Sequence, residues 1–402
     1  MKKNKIKILR DLFKYNGLDG YIVPKNDEYF SEYAFPDRLK KISNFRGSAG
    51  FAIIMTNKNY LFVDGRYTLQ AKLQSGKQYS IFEIPKIYPH NIFTKNKKKI
   101  KIGFDPNLFT NLTLKKYFKN TCELIPINEN LIDKIDLDKK TKKNEQFYKL
   151  DVKITGEHLS LKIQKIINIL KKRKIDIIFI TAPENVAWLL NIRGKDNPNS
   201  PIPNSRVIIT KDKKIYFFSD SSKIKKIKKD KDFKKITFKE DKDFFSVISL
   251  LKGKSFLIDL LSCSIFFETL IHSKFNLIND IDPCYFLKSI KNRKEIENTK
   301  KAHRFDGAAL TKFLFWAKVK NKKRISELDA EKKLEMFRRK NKNYLYPSFS
   351  TIAGSGPNGA IIHYRVNKKS NRIIKKNDIF LCDSGGQYKY GTTDITRTIS
   401  LG

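Results

Sequence analysis

Acidic charge is scarce in this sequence relative to basic charge. Its 41 Asp and Glu face 83 Lys and Arg, giving a formal charge of +42 over 402 residues. Such a deficit opens a nucleic-acid or anionic-membrane reading, because clustered cations release counterions from phosphates. Lysine is instead spread over nearly the whole chain, and runs such as Lys97-Lys98-Lys99 and Lys225-Lys226 sit where solvated loops are expected. Compositional bias is the favoured account of the charge, with a polyanion-binding surface as the alternative, and a nucleic-acid partner is not expected. Uninterrupted apolar stretches of about 18 residues are also missing, which excludes a membrane-spanning helix from the expected elements. The N-terminus, MKKNKIKILRDLFKYNGLDG, lacks the apolar core of a signal peptide. The four cysteines (Cys122, Cys263, Cys284, Cys382) are far apart and form no CxxC pair. Neither a zinc knot nor a disulfide framework fits them, and a reducing, cytoplasmic location follows as the expectation.

What is present supports burial. Hydrophobic residues make up 40% of the chain and aromatics 12%, and the length suggests two or three domains. A helix is expected from about Ile6 to Tyr15, ended by Asn16-Gly17, then a strand at Tyr21-Ile22-Val23. Phe51 to Met55 and Tyr60 to Val63 are continuous apolar runs, as strands covered on both faces would be, and a helix begins near Gly65. The same order recurs. A helix precedes a strand from Ile175 to Thr181, and SRVIITKDKKIYFFSD is a second strand-turn-strand. SNFRG at 43–47 is echoed by LNIRG at 190–194. Two successive mixed-sheet domains of similar plan, 1–140 and 150–288, are therefore expected, joined through the polar stretch 139–149. A third unit, 292–402, opens with a helix whose buried stripe is read as Ala302, Phe305, Ala309, Phe313 and Trp316. Ser326 and Asp329 have the spacing of a capping box for a second helix, with Ala330, Leu334 and Phe337 as its buried stripe. This unit stops in mid-strand and is expected to be incomplete.

Two places could carry chemistry. Ile379 to Asp383 is an apolar strand ending in a carboxylate, and Thr393 to Ile399 alternates, placing Asp394, Thr396 and Thr398 on one face. Paired as antiparallel neighbours, the strands would bring Asp383 and Asp394 to one point. Two carboxylates so placed repel unless one is protonated or a cation lies between them. Hard oxygen donors without nearby cysteine favour Mn²⁺, Mg²⁺, Co²⁺ or Zn²⁺. The alternative is that both merely satisfy backbone donors at turns. In GSGPNGAIIHYR, 354–365, a glycine-rich loop leads into a short strand carrying His363, whose imidazole suits carbonyl polarisation or substrate holding; an ordinary packing histidine is the alternative. GSGPNG lacks the GKS/T ending of a phosphate loop.

DSGGQYKYGTTDITRT together with GPNGAIIHY resembles the metal-binding region of aminopeptidase P (Xaa-Pro aminopeptidase), in the pita-bread metallopeptidase and creatinase superfamily. SEYAFPDRLKKISNFRGSAGFAIIMT and FVDGRYTLQA resemble its first domain, and ENVAWLLNIRG its second. The resemblance implies two creatinase-N-terminal-like domains followed by a partial pita-bread catalytic domain, in an overall α/β (α+β) chain. It implies a homodimeric enzyme that releases the residue preceding proline by way of a metal-bridging hydroxide. The implied cofactors are two divalent ions, Mn²⁺ with Co²⁺ or Zn²⁺ as alternatives. Asp383 falls on a family ligand of one metal, Asp394 on the ligand bridging both, and His363 on a histidine that contacts the substrate. The family's other ligands, one His and two Glu, lie downstream of DITRT. His90, His158, His272 and His303 do not match them, so the chain by itself is expected to be inactive. The alternatives are a binding or scaffold protein and a creatine hydrolase.

Overall fold

The computed structural model describes residues 5–94, 99–135, 145–320 and 324–400. Leu401 and Gly402, Lys97 and Lys98, and residues 139–144 of the expected domain junction lie outside them. Two compact units form: Met1–Gln146 with Ile163–Val186 and Asn204–Phe286, and Phe147–Lys162 with Ala187–Pro203 and Leu287–Gly402.

The first unit holds two six-stranded sheets. In the first, β1 (Gly20–Pro24), β2 (Phe51–Met55), β3 (Asn59–Asp64), β4 (Ser80–Ile84), β5 (Lys101–Phe104) and β6 (Glu123–Pro126) take the order β4-β3-β2-β1-β5-β6. The β1–β2 and β2–β3 pairs are antiparallel, and β3–β4, β1–β5 and β5–β6 are parallel. Side chains alternate between two cores: Tyr21, Val23, Ile54 and Leu61 pack with the Lys5–Tyr15 helix, while Ile22, Phe51, Ile53 and Phe62 pack with Phe104 and Phe118. Burial on both faces is the reason these strands show no polar alternation.

Further along come the two-residue β7 (Tyr148–Lys149), β8 (Ile177–Ile180), the two-residue β9 (Ile192–Arg193), β10 (Arg206–Thr210), β11 (Ile215–Phe218), β12 (Ile236–Lys239), β13 (Ser255–Ile258) and β14 (Asn276–Asn279). The second sheet has the order β12-β11-β10-β8-β13-β14 and repeats every neighbour and every sense of the first. The short sequence echo has the same conformational root in both copies. Asn44 and Asn191 each take positive φ, 62° and 53°, a conformation asparagine tolerates better than most residues.

The second unit contains β7 paired with β9, two helices (Arg293–Lys320 and Glu327–Arg339), and two three-stranded sheets. These are built from β15 (Tyr344–Pro347), β16 (Ile352–Ser355), β17 (Ile379–Ser384), β18 (Gly386–Tyr388), β19 (Gly391–Thr392) and β20 (Ile395–Ser400), ordered β15-β18-β19 and β16-β17-β20. The capping box forms: Ser326 Oγ accepts from the Asp329 N–H, and Asp329 Oδ2 accepts from the Ser326 N–H.

Three expectations need correcting. The first helix buries Ala302, Asp306, Ala309, Leu310, Phe313 and Ala317, while Phe305 is 37% exposed and Trp316 half-buried. In the second helix Arg338 is buried and Phe337 only half so. A buried ion pair, Asp306 with Arg338, occupies what an apolar count treats as core. Lastly, Gly356–Ala360 is a 3₁₀ turn, and His363 lies in a further turn at φ 56°, not on a strand.

Candidate metal site

Asp383 is the next-to-last residue of β17 and stands opposite Thr396 of β20 in an antiparallel pair. Since β20 begins at Ile395, Asp394 lies immediately before it. Between the aspartates the chain runs out along β18 and returns along β19, with Tyr388 facing Gly391. Thr393 closes the base of this hairpin: its N–H donates to the Gly386 carbonyl, and its Oγ1 accepts from the Gly386 N–H, both at 2.9 Å. Here Gly385 is essential. A Cβ at that position would lie 2.0 Å from the Thr393 carbonyl oxygen and 2.1 Å from Ser348 Oγ, so only glycine lets the two crossing segments touch.

Ile395 and Ile399 pack on the helix-covered core, and Asp394, Thr396 and Thr398 are exposed on the other side. The Thr396 hydroxyl donates to Asp383 Oδ1 at 2.7 Å. The two carboxylates feel each other: partial desolvation, and then the charge on Asp383, push the Asp394 carboxyl above its ordinary range. A proton or a cation relieves that repulsion, and the donor set, two carboxylates and no thiolate, suits a hard divalent cation. Among the described residues no group of three or more His, Cys, Asp or Glu gathers as a metal site.

His363 comes in on β17's other neighbour, because β16 pairs Ile352 with Asp383 and leads into the 3₁₀ turn before it. The half-buried His363 is followed by buried Tyr364. Tyr364 is pinned by Glu327, a fully buried carboxylate: Oε1 accepts from the Ser355 N–H at 2.8 Å, and Oε2 accepts from the Tyr364 hydroxyl at 3.0 Å and the Arg372 N–H at 3.1 Å. Asn358 Nδ2 donates to both oxygens. The strained backbone at His363 is thus held from both sides of the turn.

A second polar cluster supports the aspartate strand. Arg338 Nε and Nη2 donate to the two oxygens of Asp306 at 2.7 and 3.1 Å, Nη2 also reaches Ser384 Oγ at 3.0 Å, and the Tyr388 hydroxyl donates to Asp306 Oδ1 at 2.9 Å. Burial alone would weaken the arginine's hold on its proton; the hydrogen bonds and charge of Asp306 outweigh it, and the net shift is upward. Ser384 adjoins Asp383, so the pair fixes the end of β17. Sequence reading missed Asp306, Arg338 and Glu327. The available signal was phase: Asp306 is four residues after Ala302 and Arg338 four after Leu334, opposite charges in the buried register of two helices.

Comparison with known proteins agrees with this architecture. Models of the creatinase/prolidase N-terminal domain match residues 5–137 and 138–295, and the model of metallopeptidase family M24 matches residues 297–402. The fold is therefore that of an M24-type metallopeptidase chain with two creatinase-like domains ahead of it. A "Probable Xaa-Pro aminopeptidase P" of Laccaria bicolor is 34% identical, over 98% of this chain and 64% of its own length. The "Xaa-Pro aminopeptidase 1" of Dictyostelium discoideum is 33% identical, over 99% and 67%. A crystal structure of an X-prolyl aminopeptidase from Caenorhabditis elegans, described as a cytosolic enzyme with a di-nuclear active site, superposes with a TM-score of 0.92 at 28% identity, covering 99% of this chain and 70% of that one. The chain belongs to the Xaa-Pro aminopeptidase P family, and it spans about two thirds of the length of these relatives.

Proposed function

We propose that this chain carries part of the centre of a metal-dependent Xaa-Pro aminopeptidase, cytoplasmic and homodimeric, that releases the N-terminal residue preceding proline. The observation that supports it most is the β17–β20 pairing, which puts Asp383 opposite Thr396, two residues from Asp394, whose carboxyl desolvation and then the charge on Asp383 push upward. In this reading the two carboxylates hold divalent cations, Mn²⁺ first. A bound pair supplies Lewis-acid polarisation of a peptide carbonyl and activation of water. Thr396 orients Asp383 by donating to one of its oxygens. His363, held on its strained turn, is the imidazole that contacts substrate in this reading. An Xaa-Pro bond is a tertiary amide with a rigid ring, so a fitted site can select it by shape.

Two carboxylates alone make a weak site. The 402-residue chain is expected to bind Mn²⁺ with a dissociation constant on the order of 10⁻⁴ M or weaker, and to release no residue from an Xaa-Pro peptide. Mn²⁺ binding followed by electron paramagnetic resonance, in this chain and in Asp394→Ala, checks the reading. Unchanged binding in Asp394→Ala removes this residue from the centre, and metal-dependent release by the unextended chain contradicts the requirement for further ligands.

A further inference from the structure

The second unit has a cavity of about 370 Å³ that the peptidase reading does not use; none of Asp383, Asp394 and His363 lines it. Five cationic side chains line it (Lys162, Arg193, Lys288, Lys291 and Lys389) against a single carboxylate, Glu295. Glu295 is already engaged: Oε1 accepts from the Trp188 indole N–H at 3.3 Å, and Oε2 accepts from the Asn292 N–H at 2.9 Å.

Arg193 is the informative residue. Its Nη1 donates to the carbonyls of Ala187 and Ile192 at 3.1 and 2.9 Å, which fixes the plane of the guanidinium. Nε and Nη2 donate to no protein atom among the described residues. Desolvation lowers the arginine's hold on its proton, with Tyr148 and Glu295 offsetting this only in part. Its counterpart in the repeated motif, Arg46, is exposed whereas Arg193 is half-buried, so the enclosure of an arginine here is not a demand of the motif itself. A fork held at one end, with its other donors unused and lysines around it, matches the geometry of a tetrahedral oxyanion. The excess of positive charge favours a dianion, and Tyr148, Trp188 and Tyr388 provide aromatic walls of the kind small-molecule cavities use.

We propose that this cavity binds a phosphate group, free or as the monoester of a small molecule, anchored on Nε and Nη2 of Arg193. The proposal is independent of the peptidase reading and stands or falls without it.

Trp188 is one of only two tryptophans, so Trp316→Phe leaves a single reporter in the cavity wall. Inorganic phosphate and phenyl phosphate are titrated separately at constant ionic strength while indole fluorescence is recorded. A saturable change is expected, absent with chloride. Tighter binding of phenyl phosphate identifies a monoester site, and equal or weaker binding a site for the free ion. Arg193→Gln should weaken binding about tenfold or more. Lys291→Glu should weaken it several-fold, which keeps the test informative if Arg193→Gln does not fold. No saturable change with either phosphate, or the same affinity in the folded variants as in the parent, overturns the proposal.

Discussion

Asp306 and Arg338 form a buried ion pair between the two helices of the second unit. Neither is exposed to solvent, so each depends on the other for compensation. Removing one partner leaves an uncompensated buried charge, a loss of about 3–5 kcal/mol, whereas replacing both by apolar groups of similar volume is far milder. Asp306→Ala is therefore expected to lower unfolding stability in urea by that amount, and Asp306→Leu with Arg338→Met to recover most of it. Equal losses in the single and double variants would mean that the ion pair is not the source. Asp282 gives a second test at this scale. It is buried, accepts hydrogen bonds from Asn185 Nδ2 at 2.7 Å and the Cys284 N–H at 2.8 Å, and is pushed up to about 6, chiefly by burial. Because the folded state holds this proton more tightly than the unfolded chain, the carboxylate costs stability above the folded value. That cost, roughly 3 kcal/mol, fades as pH falls from about 6 towards 4 and is gone below it. Relative to Asp282→Asn, the native protein should thus lose thermal stability as pH rises from 4 to 6. A constant difference in melting temperature across that window would exclude the effect.

At the level of elements, the β18–β19 hairpin sets the spacing between Asp383 and Asp394. Its base is closed by Thr393 against Gly386, and Gly385 runs beneath with no space for a side chain. Gly385→Ala must push the hairpin off β20, with a cost of about 1–3 kcal/mol for the overpacking. Weaker Mn²⁺ binding should accompany the lower stability, since the same displacement separates Asp394 from Asp383. A variant with native stability and native metal affinity would show that the crossing is not as tight as it stands. The element plan itself was legible in the sequence, because strand runs of Ile, Val and Phe and the Ser326–Asp329 cap are local signals. His363 was misplaced onto a strand: the turn that carries it is stabilised by Glu327, 36 residues earlier in the chain, and no local pattern reports such a partner.

Across the whole molecule, both units leave large apolar side chains exposed, among them Leu73 at 83% and Leu250 at 78% in the first. The first sheet of that unit is nonetheless packed on both faces. In the second unit, Phe315 is 70% and Ile379 63% exposed, and β20 is paired on one side only among the described residues. Exposed apolar side chains beside an open strand edge promote association. The 402-residue chain is expected to aggregate at micromolar concentration, as light scattering behind size exclusion would reveal, and a monodisperse, cooperatively melting sample would contradict this. No helix among the described residues is long and apolar enough to cross a membrane, which agrees with the missing apolar runs.

The sequence by itself determined the duplicated sheets, the family, and the pair of aspartates worth attention, because periodicity, turn chemistry and motif order are written along neighbouring residues. Tertiary structure alone decided that Asp383 stands opposite Thr396, two residues from Asp394, that a buried Asp306–Arg338 ion pair joins the apolar core of the helices, and that Arg193 lines a cationic cavity. Those outcomes depend on segments tens or hundreds of residues apart meeting in space, where the cost of burying a charge is set by a partner that no local window contains.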